Sequence, residues 1–156
     1  MIEIQVPGYK TFCFEHLVLD YNGTLAFDGE LIAGVRETLN RLAGLLQVHI
    51  ITADTFGQVR QQLEGIPCTL SILPPDDQVE AKRAYVQQLG PGRTASIGNG
   101  RNDRLMLRAA ALGIAVVLAE GASPETLASA RVVTGSITDA LDLLIHPLRL
   151  IATLRS

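Results

Sequence analysis

With 156 residues, 47% of them hydrophobic and 19% charged, the chain is sized for one folded domain with its own core and does not have the composition of a disordered segment. Its 16 acidic and 13 basic side chains leave a net charge of -3, without the basic excess that a general nucleic-acid binder needs. Mean hydropathy is +0.26, yet no apolar run approaches the roughly 20 residues of a membrane span.

The opening residues MIEIQVPGYK lack the charged-then-apolar layout of a leader. Residues 2–6 read as a short leading strand. Residues 15–20 (EHLVLD) read as a buried strand ending on a carboxylate. Residues 26–33 hold a short hairpin flap with Asp28-Gly29 at its turn. The spacing of Val35, Leu39, Leu42 and Leu46 predicts a helix over 34–46. A strand at 47–52 and a helix at 55–64 follow. Next come a strand at 69–73, stopped by Pro74-Pro75, and a helix at 77–89. Residues 94–98 form a strand, 102–111 a helix and 113–118 a strand. Ser123 and Pro124 then start a short helix. Residues 131–134 add an edge strand, and helical material from 138 to 154 is broken at Pro147.

Strands this apolar, alternating with helices, predict a three-layer α/β/α sandwich around a doubly wound, mostly parallel sheet. One domain over 1–156 is expected. In such sheets the chemistry gathers beyond the carboxyl ends of the strands. The strand at 15–20 runs into Asp20-Tyr21-Asn22-Gly23-Thr24-Leu25, that at 47–52 into Thr52-Ala53-Asp54, and that at 94–98 into Asn99-Gly100-Arg101-Asn102-Asp103. Lys82 lies near the start of the helix at 77–89. Carboxylates, a hydroxyl and an ammonium on one rim suit phosphoryl transfer through an aspartyl phosphate.

DYNGTL resembles the first motif of the haloacid dehalogenase (HAD) superfamily, and Thr52, Lys82 and GNGRND resemble its second, third and fourth. GNGRND followed by Leu105-Met106-Leu107 is similar to the hinge region of P-type ATPase phosphorylation domains, so the chain looks like a soluble, capless, P-type-ATPase-like branch. The resemblance implies a Rossmann-like fold and a magnesium-dependent phosphohydrolase. It makes Asp20 the nucleophile and a metal ligand, and gives the backbone carbonyl of Asn22, with Asn99 and Asp103, as the other Mg2+ ligands. It assigns phosphate binding to Gly23 and Thr24 through backbone N–H groups, to Thr52 and Ala53, and to Lys82, which also pairs with Asp20.

Two positions depart from the pattern. Asn22 stands where phosphatases of the superfamily carry an acid–base Asp, and an amide cannot transfer that proton. Asn99 stands where they carry another Asp, which removes a ligand charge. Slow turnover is therefore expected. The alternative is a catalytically weak regulatory module that binds phosphate or a protein partner. Asn22-Gly23 is also a candidate for deamidation. No cap domain fits between the motifs, so the site is expected to be open, covered by a neighbouring subunit or used on a phosphate carried by a larger molecule. In the tail, Leu141, Leu144, Ile145, Leu148 and Ala152 line one face, with Leu143, Leu150 and Leu154 elsewhere, which predicts a homo-oligomer. Neither a nucleic acid nor a membrane is an expected partner.

Other residues have plainer readings. Asp54 caps the helix after it, Asn102 is structural, and Arg101 and Arg104 face solvent. His49 is a core histidine, while His16 and His146 lack ligand partners. Cys13 and Cys68, with no metal spacing, fit reduced thiols in a cytoplasmic protein.

Overall fold

The computed structural model describes residues 1–54 and 57–156. Its centre is a six-stranded parallel sheet, built from β3 (His16–Asp20), β6 (Gln47–Thr52), β7 (Thr69–Ile72), β8 (Thr94–Gly98), β9 (Leu112–Val116) and β10 (Val132–Thr134). The strand order is β10-β9-β8-β3-β6-β7. All five residues of β3 are buried, as they are in β8 and β9, because helices cover both faces. On one face, Leu17, Leu19, Val48 and Ile50 pack against α1 (Val35–Ala43), α2 (Val59–Gln62) and α6 (Ile137–Ile145). On the other, Val18, Ile51 and Ala115 meet α3 (Gln78–Leu89), α4 (Arg104–Ala109) and α5 (Pro124–Ser129). The expected three-layer doubly wound sandwich is what forms. Each large aliphatic side chain buried this way stabilises the fold by about 1.5–3 kcal/mol.

Several boundaries differ from the sequence pattern. The leading strand β1 (Ile2–Val6) is half of an antiparallel hairpin with β2 (Lys10–Phe14). Phe12 and Phe14 of β2 stack with centroids 5.2 Å apart on the core. The helix read at 34–46 ends at Ala43, where the Gly44 N–H caps Arg41 and Leu42 carbonyls. Of the helix read at 55–64, residues 55 and 56 lie outside the described residues, and α2 spans only Val59–Gln62. The segment at 102–111 begins as a 3-10 turn, Arg101–Asp103, before α4.

The flap is β4 (Ala26–Phe27) and β5 (Glu30–Leu31). Asp28 and Gly29 both have positive φ, 50° and 86°, as a two-residue hairpin turn requires. The Tyr21 hydroxyl donates to Gly29 O at 2.7 Å, tying the flap to the loop after β3. Burial, with Asp54 and Glu30 nearby, pushes the Tyr21 phenol up to about 12, so it remains a donor. Among the described residues no inserted cap domain interrupts the sheet.

The tail forms two helices, α6 and α7 (Pro147–Leu154), with Pro147 opening the second. The break at His146 shifts the helical register. Leu143 and Leu150, set aside by the one-face reading, are buried together with Leu141 and Leu144. Leu148, placed on that face, is 79% exposed, and Ala152 is exposed too. Among the described residues no helix is long and apolar enough to cross a membrane.

Candidate active site

Parallel pairing sets the carboxyl ends of β8, β3 and β6 side by side, with Leu19 opposite both Ile50 and Ile97. Asp20, Thr52 and Asn99 therefore emerge at one rim. A cleft of about 180 Å³ opens there, lined by Asp20, Asn22, Thr52, Asn99, Asn102 and Glu120, with Ala53, Gln78 and Gly100 completing the wall.

Lys82, in the first turns of α3, is 1% exposed. Its Nζ donates to Asp20 Oδ1 and to Asp103 Oδ1, each at 2.7 Å. Read alone, Lys82 is a surface lysine; the structure makes it the cation between two buried carboxylates. Burial pulls its pKa down, but Asp20 and Asp103 overcome this and hold it above the ordinary lysine value. Asp103 is fully buried. Burial and the neighbouring Asp20 push it up to about 6, against the pull of Lys82.

Asp103 Oδ2 accepts the backbone N–H groups of Asn99 and Gly100, both at 3.0 Å. With both oxygens engaged, and absent from the cleft lining, Asp103 organises Lys82 and the loop after β8. Gly98 permits this closeness: a Cβ there would sit 2.5 Å from Asp103 Cγ.

Thr24 is buried, and its hydroxyl lies 3.1 Å from Asp20 Oδ2 and 3.2 Å from Asn99 Oδ1. One hydroxyl proton lies within reach of both oxygens, and both side chains line the cleft. Asn22 Oδ1 is buried at the cleft without a hydrogen-bond partner. These donors are all oxygens, the set that a hard divalent cation takes. Asp20, Asn22 and Asn99 thus fit such an ion, although no group of three His, Cys, Asp or Glu gathers for a metal among the described residues.

Thr52 Oγ1 accepts the Asp54 N–H at 3.1 Å, leaving its own proton to donate into the cleft. Asp54, with φ of 52°, caps Val59 N at 3.3 Å, as its sequence position suggested. The N–H groups of Gly23 and Thr24 do not face the cleft as free donors. Gly23 N–H donates to Ala26 O at 2.9 Å and Thr24 N–H to Tyr21 O at 3.2 Å. The turn that shapes the loop uses the donors that the resemblance assigned to phosphate. Gly23, at φ of 77°, keeps that turn in a conformation that favours glycine.

Asn102, read as structural, belongs to the cleft wall: its Oδ1 lies 3.4 Å from Lys82 Nζ and its Nδ2 donates to Gln78 Oε1 at 3.0 Å. Arg101 and Arg104 pair with Glu125 at 2.8 and 3.4 Å on the surface. His49 is buried, bonded to His16 and Tyr85. Gln78 and Glu120 were missed as cleft residues. Glu120 had a signal, being the first charged side chain after the apolar run 112–119.

No family model matches the chain. An uncharacterized protein of Methanocaldococcus jannaschii is 52% identical over 60 residues, which are 38% of this chain and 64% of that relative's length. Among solved structures, a candidate 3-deoxy-D-manno-octulosonate 8-phosphate phosphatase of Vibrio cholerae superposes with a TM-score of 0.71 at 19% identity, covering 100% of this chain and 99% of that one. The Moraxella catarrhalis phosphatase of that name, solved with magnesium, phosphate and KDO, gives 0.63 at 21% identity over 91% and 94%. A candidate HAD-family hydrolase of Streptomyces avermitilis gives 0.62 at 21% identity over 78% and 76%. With the sheet order, the flap and the rim residues, these likenesses establish that the chain has the fold of the haloacid dehalogenase hydrolases.

Proposed function

We propose that the chain is a phosphohydrolase of the haloacid dehalogenase superfamily, working through an aspartyl phosphate on Asp20. Its substrate is a small phosphomonoester or a phosphate carried on a larger molecule. One observation carries this reading: the Asp20 carboxylate lines the cleft while Lys82 holds its Oδ1 at 2.7 Å. Such an oxygen is fixed in direction and remains a nucleophile.

An Asp20 oxygen forms a bond to phosphorus as the bond to the alcohol oxygen breaks, and the alcohol leaves with a proton taken from solvent. Water then attacks phosphorus, the Asp20–phosphorus bond breaks, and inorganic phosphate departs. Thr52 donates its hydroxyl proton to a phosphoryl oxygen. Lys82 offsets charge on Asp20 and keeps it oriented. Asp20, Asn22 and Asn99 would hold Mg2+, which supplies neutralisation of phosphoryl charge. Asn22 cannot carry a proton in either half of the reaction, a loss on the order of 10²–10⁴-fold.

Asn22 also favours a second reading, a phosphate-binding or partner-binding module with little turnover. A homo-oligomer covering the open cleft belongs to the first reading, and light scattering that finds a monomer at working concentration sinks that part of it.

The test is Mg2+-dependent hydrolysis of an aryl phosphate by native protein, Asp20→Asn and Asn22→Asp. Loss of activity in Asp20→Asn with a rise of tenfold or more in Asn22→Asp is the expected result. An inactive native protein that Asn22→Asp does not rescue, but that still binds phosphate by calorimetry, favours the module.

A further inference from the structure

We infer that Glu120 supplies the negative charge that Asn99 withholds from the cation site, and that the Asn99 amide is what brings Glu120 there. The inference rests on the divalent-cation site proposed above. Lys82 lies 2.7 Å from both Asp20 and Asp103, so its single positive charge cancels one of the two carboxylates. With a neutral amide at Asn99, the cluster formed by these three side chains carries one net negative charge. A divalent ion needs more, since ligand charge count sets affinity at oxygen sites.

Glu120 lines the same cleft as Asp20, Asn22 and Asn99. Its Oε2 lies 2.1 Å from the point where a Gly23 Cβ would stand, and Asn99 Nδ2 lies 2.8 Å from that point. The carboxylate therefore rests over the Gly23 turn beside the Asn99 amide, in space that only a glycine leaves free. Among the described residues Glu120 has no ion-pair partner. Glu120 is exposed to solvent at the mouth of the cleft, while Asn22 Oδ1 on the same cleft is buried without a hydrogen-bond partner.

The loop from 117 to 123 is pinned through Asn99. Its side-chain Nδ2 donates to Gly121 O at 3.2 Å, and its backbone carbonyl, whatever the side chain, accepts the Ser123 N–H at 3.1 Å. An aspartate at this position has no proton for the Gly121 carbonyl, and its charge would repel Glu120. The amide thus gives up a charge at position 99 and anchors the loop that carries one at position 120. The two features explain each other, whereas an isolated Asp-to-Asn change explains only a weaker site.

The test is direct binding of Mn2+, read by electron paramagnetic resonance of the free ion, and of Mg2+ by calorimetry, at fixed ionic strength and without substrate. Glu120→Gln is expected to weaken binding about tenfold, within the roughly 10–100-fold range of residues that tune a metal site. Glu37→Gln, an exposed carboxylate on α1, is expected to bind as native. Asn99→Asp in the Glu120→Gln background is expected to recover most of the loss. Native affinity in Glu120→Gln overturns the inference while leaving the cation site intact. A native protein that binds neither ion overturns the cation site itself, and the inference with it. Melting curves in chelator check that each variant folds.

Discussion

Replacing Lys82 by methionine tests the arrangement on which the site depends. The ammonium is 1% exposed and lies 2.7 Å from one oxygen of each of two aspartates. At an effective dielectric constant near 20, one such contact is worth about 6 kcal/mol before desolvation is counted. Desolvation of three buried charges cancels much of the sum. Removing one partner of a buried ion pair costs about 3–5 kcal/mol, because the charge left behind has no compensation. Here two carboxylates are left facing each other. The expected loss is therefore about 3–5 kcal/mol at pH 8 in chelator, read from urea unfolding with an unchanged m value.

The loss should also depend on pH. Asp103 is already pushed up to about 6 by burial and Asp20. Without Lys82 it rises further, so at pH 5 one carboxyl of the pair takes up a proton and the repulsion falls. A raised carboxyl makes the folded state bind the proton more tightly. Its contribution to stability is full below the ordinary value of 3.8 and fades as pH rises through the folded value. The deficit of Lys82→Met relative to native should thus shrink towards pH 5, at up to about 1.4 kcal/mol per pH unit for one titrating group. A deficit below about 1 kcal/mol at pH 8, or one equal at both pH values, refutes the reasoning.

Gly98→Ala would set a Cβ 2.5 Å from Asp103 Cγ and Oδ2; overpacking at so buried a point is expected to cost about 1–3 kcal/mol in urea unfolding, with activity falling as Lys82 loses its support. His16 Nδ1 lies 3.1 Å from His49 Nε2, and His49 Nδ1 lies 3.0 Å from the Tyr85 hydroxyl. Burial lowers both imidazoles, Arg93 adding to the effect at His16 and His16 at His49. Their contribution to stability is therefore intact above about pH 6.5 and lost as pH falls through that value. The unfolding midpoint of the native protein should drop from pH 7 to pH 5 more than that of the double variant His16→Gln/His49→Gln, and parallel profiles would exclude the histidine pair as the cause. Deamidation at Asn22 needs the Gly23 nitrogen as nucleophile, but that N–H is held by Ala26 O at 2.9 Å. Peptide mapping is expected to find Asn22 unmodified, and conversion in folded protein would show that the turn opens.

The strand-end rule made the core of the site legible. Asp20, Thr52 and Asn99 follow three apolar runs, and parallel pairing leaves those ends only one rim to share. What sequence periodicity cannot carry is the depth of a polar side chain. Lys82 looks like any helix-surface lysine until α3 is laid against β3 and α4, and Asp103, which the resemblance gives as a ligand, is held by Lys82 and by the Asn99 and Gly100 N–H groups. Glu120 escapes the strand-end pattern because β9 ends at Val116 and the carboxylate comes only further along the loop to the same rim. The β1–β2 hairpin was half read: the alternation Lys10–Phe14 exposes Thr11 and Cys13 and buries Phe12 and Phe14, a period-2 signal short enough to pass as a loop. The tail failed for a physical reason, since Pro147 starts a new helix and one register cannot be carried across it.

Asn22 separates the two halves of the proposed reaction, which gives a kinetic signature. Formation of the phosphorylated Asp20 needs a proton on the leaving oxygen only when the alcohol is a poor leaving group. An aryl phosphate expels a stable phenolate, so its first half tolerates an amide at position 22. The second half requires water to lose a proton as it attacks phosphorus, and no carboxylate stands at position 22 to take it. A loss of 10²–10⁴-fold in general base catalysis corresponds to about 3–5 kcal/mol on that step alone. Phosphoenzyme should therefore accumulate with an aryl substrate, seen as a burst of phenol equal to the enzyme present, followed by slow turnover. Acid quenching and peptide mapping should find the phosphoryl group on the peptide containing Asp20. With an alkyl phosphate the first half is slow as well and the burst should vanish. Asn22→Asp should speed the steady phase and remove the burst from the aryl reaction. A native protein with no burst, yet with linear turnover as fast as Asn22→Asp, would mean that another group already serves as the base.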